Sequence, residues 1–205
     1  MLAVSLIRGI YMKTVKSLIF VAFIFIACLS QTAVAQNRTV MNEAEKYSND
    51  KFPISLTSPK GARIYAVNRP SAKMVNAIDT GLENLFEIAG KNNYRRKLNF
   101  SDYSIYIAKA DRMQDSQRQY SPDIAIGAAQ YAGSVFDQGG YVYAAGIVIA
   151  LSPCAFVIAE HTKNFERVSD VVRYEGEHLI LFHNNRRLYN QTADHSQGGG
   201  HPILQ

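Results

Sequence analysis

Cysteine is scarce in this sequence, which has only Cys28 and Cys154 among its 205 residues. Once a signal segment before residue 36 is removed, Cys154 is left alone, and an intrachain disulfide is excluded. Free cysteine is among the most buried residue types, so we expect Cys154 to be a small core residue rather than a nucleophile. The sequence leaves open a pairing of Cys154 with His178 or His195.

Clusters of basic residues are also lacking. The formal net charge is +5, but residues 1–35 hold three of the 22 basic residues and none of the 17 acids. Without that segment, 19 basic residues stand against 17 acids, a net charge of +2. The short basic runs at residues 95–97 and 186–187 are typical of solvated surface rather than of a nucleic-acid footprint. We therefore expect no nucleic-acid partner.

No apolar run is long enough to span a membrane. The apolar stretch at residues 17–27 is shorter than the ~20 residues that a transmembrane helix needs, so no retained transmembrane helix is expected. Lys13 and Lys16 precede the stretch, and the small-x-small sequence AVA follows it at residues 33–35. This order of basic, apolar and small residues predicts that residues 1–35 are a signal peptide.

The mature chain is then expected to begin at Gln36, and the protein to be exported, either to the periplasm or as a secreted protein. Two alternatives stay open at this end of the chain. Residues 25–28 (FIAC) loosely resemble a lipobox, which would anchor the protein as a lipoprotein through Cys28. Met12 is an alternative start of translation.

The mature length of about 170 residues is typical of one domain. Residues 36–60 are polar and are interrupted by Pro53 and Pro59, and we interpret them as an extended N-terminal arm. Residues 61–205 form the predicted domain.

The apolar pattern within this domain predicts a mixture of strands and helices. A helix is expected at residues 71–90, with Ser71 as its N-cap and apolar residues three and four apart. Residues 110–121 are polar and are expected to form a loop or a short surface helix. Strands are expected at residues 62–67, 103–108, 141–151 and 156–158. The predicted fold class is α+β, with a mixed, mostly antiparallel sheet packed on a few helices.

Histidines are concentrated at one end of the sequence. All five lie in its last 45 residues, at His161, His178, His183, His195 and His201. Ser169 is a suitable N-cap for a helix that continues to His183. On such a helix Tyr174, Glu175 and His178 are three or four residues apart and share a face, as a metal site on a helix requires.

The sequence Tyr174-Glu175-Gly176-Glu177-His178 resembles the HExxH helix of the zincin metallopeptidases, with Tyr174 in place of the first histidine. The resemblance covers roughly residues 64–201. In that family two histidines one turn apart bind zinc, and the glutamate between them is the general base. The resemblance implies a zincin-like core, Glu175 as the base, His178 as a ligand and zinc as the cofactor.

Further metal ligands must come from downstream of the motif. His183 lies about 140° around the helix from His178, so it can join the same site only if the helix ends there. A short helix at residues 187–192 could fold back and bring His195, the second ligand that we favour. The glycines at residues 198–200 give His201 the freedom to reach the site as a ligand or a lid.

Two functions follow from this pattern. The first is an exported zincin-like hydrolase that acts on peptide or cell-wall bonds, in which Tyr174 or a downstream histidine polarises the carbonyl. The second is a non-catalytic exported binding or structural domain with a degenerate zincin fold, in which Tyr174 is a packed ring and His178 a hydrogen-bonded core histidine. Loss of the first motif histidine favours the second function, and the concentration of the other histidines favours the first.

Overall fold

The computed structural model describes residues 38–111, 122–127, 133, 137 and 139–204. The predicted signal peptide and almost all of the predicted loop at residues 110–121 lie outside this part of the chain. The elements described below belong to the compact unit from Val40 to Gln205. No helix within the described residues is both long enough and apolar enough to cross a membrane.

The described strands are β1 (Ile54–Thr57), β2 (Arg63–Ala66), β3 (Tyr103–Ala108), β4 (Ile124–Ile126), β5 (Val142–Ala144), β6 (Gly146–Ala150) and β7 (Cys154–Ala159). Five of them form a mixed sheet at the centre of the fold, in the order β1-β2-β3-β7-β6. Strands β2, β3 and β7 are parallel, whereas β1 and β6 pair antiparallel to β2 and β7 at the two edges. Strands β4 and β5 form a separate antiparallel pair.

The two central strands, β3 and β7, are buried along their whole length. They pair in register from Tyr103 opposite Cys154 to Ala108 opposite Ala159. Alternate residues face opposite sides of the sheet and enter two separate core clusters. Cys154 is fully buried, which confirms the prediction that it is a core residue.

Helices cover both faces of the sheet. The helices are α1 (residues 38–48, of which 40–48 belong to this unit), α2 (Ala72–Lys91), α3 (Phe165–Asn184) and α4 (Arg186–Thr192). Helices α2 and α3 pack against each other and against one face of the sheet. Helix α1 and the β4–β5 pair cover the other face. The predicted α+β class is therefore confirmed, and Ser71 caps α2 as expected by accepting a hydrogen bond from the Met74 N–H at 3.2 Å.

The prediction of an extended arm at residues 36–60, separate from the domain, is wrong where this segment is helical and where it joins the sheet. Residues 40–48 are helical, and Ile54–Thr57 pairs with β2 as strand β1. The reason is that Val40 and Ala44, one helical turn apart, are buried with Phe52 in the second core cluster. The partly buried Met41 and Tyr47 pack against the same cluster, so a few apolar side chains among many polar ones hold the segment on the sheet.

Two element boundaries also differ from the prediction. Helix α3 begins at Phe165, because Asn164 caps it by accepting a hydrogen bond from the Arg167 N–H at 3.0 Å. Ser169 lies inside α3, where its hydroxyl donates to the Ala77 carbonyl of α2 at 2.8 Å. The single strand predicted at residues 141–151 is divided at Ala145, because β5 pairs with β4 whereas β6 pairs with β7.

Candidate metal centre

The candidate site lies where α3 passes the edge strand β6. Gly146 allows this close approach: a Cβ atom there would lie 2.9 Å from Cγ of Glu175 and 2.9 Å from Cγ1 of Val171. Beside this contact is a cleft of about 720 Å³, lined by residues 146–152 and by Glu175, His178, Tyr189, Ala193, Asp194 and His195. The motif helix and the edge strand therefore form opposite walls of one cleft.

Three histidines meet beside this cleft, and two of them, His178 and His195, line it. Each of His178, His195 and His201 offers a ring nitrogen, and these nitrogens all lie within 4.8 Å of one another. The ring centroids form a nearly equilateral triangle: His178 is 5.1 Å from His195 and 5.0 Å from His201, and His195 is 4.9 Å from His201. Together the three side chains could hold a metal ion.

His178 is the buried member of the triangle, with 8% of its surface exposed. Burial, followed by the neighbouring imidazoles of His201 and His195, lowers the pKa of His178 to about 3. Burial followed by the charge of His201 also lowers the pKa of His195. Both rings are therefore neutral at pH 7, the state in which imidazole binds metals.

The Nδ1 atom of His178 is buried and has no hydrogen-bond partner among the described residues. An unsatisfied polar atom in the interior of a protein is destabilising, and such atoms are rare. A metal ion is one group that would satisfy a ring nitrogen here, so the donor chemistry of this site fits a metal.

The segment after α4, residues 193–204, brings the other two histidines into place, and we refer to it as the tail. The Asp194 side chain accepts a hydrogen bond from the Ser196 N–H at 2.9 Å and thereby caps the short turn His195–Gln197. The Gly199 N–H then donates to the Asp194 carbonyl at 3.0 Å. A Cβ atom at Gly199 would lie 2.2 Å from the Thr192 carbonyl oxygen, so only glycine fits this position.

Glu177 connects α3 to the tail from the interior of the protein, with none of its surface exposed. Its Oε2 atom lies 3.0 Å from Nδ1 of His201, and its Oε1 atom accepts a hydrogen bond from the Ile203 N–H at 2.8 Å. Beyond these contacts, Ile203 and Leu204 pack against an apolar cluster of α2 and α3. One buried carboxyl thus contacts the tail at two points.

Tyr174 occupies the motif position of the missing histidine. Its ring stacks on the His201 ring, with the centroids 4.6 Å apart and the planes at 30°. The side chain is 38% exposed and lines a different hollow, together with Asn164, Arg167 and Asp170, rather than the cleft. Tyr174 therefore contacts the histidine group through His201.

Glu175 lines the cleft with His178 but is not one of the three grouped ligands. Burial raises the pKa of its carboxyl to about 8, and a hydrogen bond from the Val148 backbone opposes this rise. A carboxyl with a pKa near neutrality, in a cleft beside potential metal ligands, is typical of a functional acid or base.

The structure brings together three of the four histidines predicted as ligands and leaves His183 outside the group. The Nε2 atom of His183 lies 2.7 Å from the Leu151 carbonyl oxygen. Helix α3 continues through His183 to Asn184, so its geometry turns this side chain away from His178. The contacts of Glu177 were not predicted from the sequence, although an acid just before the apolar run at residues 179–182 was a signal that it needed a partner.

Comparisons with models of protein families, with curated proteins and with solved structures find no match for this chain. Its function is therefore inferred from the residues of the site itself.

Proposed function

We propose that this protein is an exported, zinc-dependent hydrolase of the zincin type that cleaves peptide bonds in proteins or in cell-wall peptides. The observation that carries the proposal is the meeting of three imidazoles, with ring nitrogens within 4.8 Å of one another, beside a cleft that Glu175 also lines. Three protein ligands and one position left for water or substrate is the usual composition of a catalytic zinc site.

Zinc is the metal that this donor set fits best. The ring nitrogens of His178, His195 and His201 lie within 4.8 Å of one another, so these three residues would hold the ion. Imidazole nitrogen is a common zinc ligand, whereas calcium and magnesium prefer oxygen ligands. When bound, zinc supplies Lewis acidity, which polarises a carbonyl group and makes a water molecule a stronger nucleophile.

Glu175 is the proton carrier in this proposal. Its carboxylate takes a proton from the attacking water and then gives that proton to the nitrogen of the departing amine. Efficient transfer in both directions needs a pKa near the working pH, and burial raises the pKa of Glu175 towards that range. The Val148 N–H, which bonds to this carboxyl, keeps it oriented along the cleft wall.

The edge strand supports a peptide as the substrate. Within the described sheet β6 pairs only with β7, so no described strand pairs with its other edge, where the Val148 N–H bonds to Glu175. An extended peptide can add to such an edge as a further strand and gain main-chain hydrogen bonds. Its scissile bond would then run past Glu175 and the histidines.

The proposal is tested by measuring zinc content and cleavage together. The zinc-loaded protein should bind one ion and hydrolyse members of a mixed peptide library or of a set of cell-wall peptides. Glu175→Gln should keep the zinc and lose about 10²- to 10⁴-fold in turnover, because the proton carrier is gone. Glu166→Gln is the matched control: Glu166 is an exposed glutamate of the same helix and does not line the cleft, so turnover should not change. A protein that binds no zinc contradicts the proposal.

A second candidate is a non-catalytic exported binding or structural domain. Two observations favour it: Tyr174 replaces the first motif histidine, and the pKa of about 8 at Glu175 leaves this carboxyl protonated at neutral pH in the metal-free protein. Stoichiometric zinc together with peptide binding, but with no cleavage and no effect of Glu175→Gln, would select this candidate.

A further inference from the structure

Glu177 is the one buried carboxyl of α3 that contacts the tail, and both of its oxygens are used. Oε1 accepts the Ile203 N–H at 2.8 Å, and Oε2 lies 3.0 Å from Nδ1 of His201. When His201 carries its proton on Nδ1 and donates it to Oε2, the lone pair of Nε2 is free for a metal. A carboxylate that bonds to the second nitrogen of a ligand histidine fixes the tautomer and the orientation of the ring.

Other contacts of the tail also hold His201 in place. Ile203 and Leu204 pack against Leu85, Ala89 and Ile180, so apolar burial holds the residues just after His201. Stacking of Tyr174 on His201 supports the ring from a further side. When these residues are docked on α2 and α3, His201 is therefore also held next to the other two histidines.

We infer that Glu177 is the positioning residue of this metal centre: it acts through His201 and Ile203 to dock residues 198–204 on α3, and metal binding and docking stabilise each other. This inference rests on the metal site of the proposed function. The tail then supplies the ligand that the motif helix lacks at Tyr174, so the site is complete only while the tail is docked. By linkage, the free energy that an ion gains from His201 also holds the tail in place.

Glutamine at position 177 distinguishes this role from simple packing. It has nearly the same shape as glutamate, but one of its two terminal atoms is a donor rather than an acceptor. It can accept from His201 or from Ile203, but not from both. Glu177→Gln should therefore weaken zinc binding by about 10- to 100-fold, the usual effect of losing such a partner.

The measurement is a zinc titration of the full chain in competition with a chromophoric chelator, followed by a cleavage assay at rising zinc concentration. Glu177→Gln should bind zinc 10- to 100-fold more weakly, and excess zinc should restore its turnover. Glu177→Asp, which keeps both acceptor oxygens on a shorter side chain, should lie between this variant and the wild type. The matched control Glu175→Gln should show the reverse pattern, with normal zinc affinity and no rescue by zinc.

A second measurement needs no substitution. Hydrogen exchange of the Ile203 amide in the wild-type protein should slow when zinc is added, because the docked state is stabilised. Exchange that zinc does not change, or an unchanged zinc affinity in Glu177→Gln, overturns the inference and leaves the zinc site standing. A wild-type chain that binds no zinc overturns the proposed function and the inference with it.

Discussion

Helix α3 and the tail contribute to the same site, but different forces hold them. Nine residues of α3 are buried, including every residue from Gly176 to Leu181, and apolar packing against α2 and the sheet fixes the helix. No residue of the tail, 193–204, is fully buried, and its path depends on a few hydrogen bonds, on the close approach at Gly199 and on the partial burial of Ile203 and Leu204. Apolar packing therefore fixes the helix that carries His178, whereas the tail that carries His195 and His201 has fewer contacts, many of them polar.

The largest expected effect concerns the metal ligand that α3 supplies. His178→Ala should abolish stoichiometric zinc binding, because it removes the ligand that the buried helix holds in place. His183→Ala should leave zinc binding unchanged, because His183 contacts the Leu151 carbonyl rather than the group. Both variants can be compared by elemental analysis after dialysis. Equal zinc loss in the two variants would mean that the ligand assignment is wrong.

A substitution in the tail should impair the metal site but not the fold. Gly199→Ala places a Cβ atom 2.2 Å from the Thr192 carbonyl oxygen, so the chain must move where it leads to His201. We expect zinc affinity to fall by about 10- to 100-fold, as when a residue that holds a metal ligand in place is lost. The far-ultraviolet circular dichroism spectrum, which reports secondary structure, should change little. Gly200→Ala is the control, since a Cβ atom there meets nothing within 4 Å.

A substitution where α2 and α3 pack against each other should instead lower the stability of the fold. Gly81→Ala brings a Cβ atom to 2.6 Å from the Ser169 carbonyl oxygen where α2 and α3 touch. Overpacking of this kind lowers the free energy of unfolding by about 1–3 kcal/mol. On the same helix, Gly90→Ala meets nothing within 4 Å and should be neutral or slightly stabilising, by up to about 1 kcal/mol. Denaturant unfolding of the two variants is the measurement, and equal midpoints would contradict the close helix contact.

The last prediction concerns the pH dependence of the free energy of unfolding of the metal-free protein, in which each pH unit has only a small effect. The pKa of His178 is lowered from 6.5 to about 3, so between these values the unfolded chain binds a proton that the folded chain does not. This contribution to stability is complete above pH 6.5 and is lost as the pH falls, by at most about 1.4 kcal/mol for each pH unit. Denaturant unfolding between pH 7 and pH 4 measures the slope, and His178→Gln should reduce it. An unchanged slope in that variant would show that His178 is not the responsible group.

Local sequence patterns predicted the frame of the site well. The spacing of apolar residues predicts α2, and the Tyr174-to-His178 frame places Glu175 and His178 on one helix face, where the cleft lies. Cys154 was expected in the core for its residue type alone. These features depend on residues within one or two helical turns, where geometry follows directly from spacing.

The contacts that complete the site are not local, and the sequence could not predict them. Glu177 and His201 are 24 residues apart, and their contact depends on the turn at His195–Gln197 and on the close approach at Gly199. The short helix α1 was missed for a similar reason, since Val40 and Ala44 indicate a buried face only once the sheet beneath them is known. A mostly polar segment has little periodic apolar pattern, so its structure is hard to predict from the sequence when only a few side chains fix its position.

X-ray absorption spectroscopy of the zinc-loaded protein tests most directly whether His178, His195 and His201 hold one ion. We expect one zinc ion per chain, nitrogen or oxygen ligands at about 2.0–2.1 Å, and the outer-shell scattering of three imidazoles. His201→Ala should reduce the imidazole signal to that of two rings. Failure to load one ion per chain, or a sulfur ligand at about 2.3 Å from zinc, would contradict the site described here.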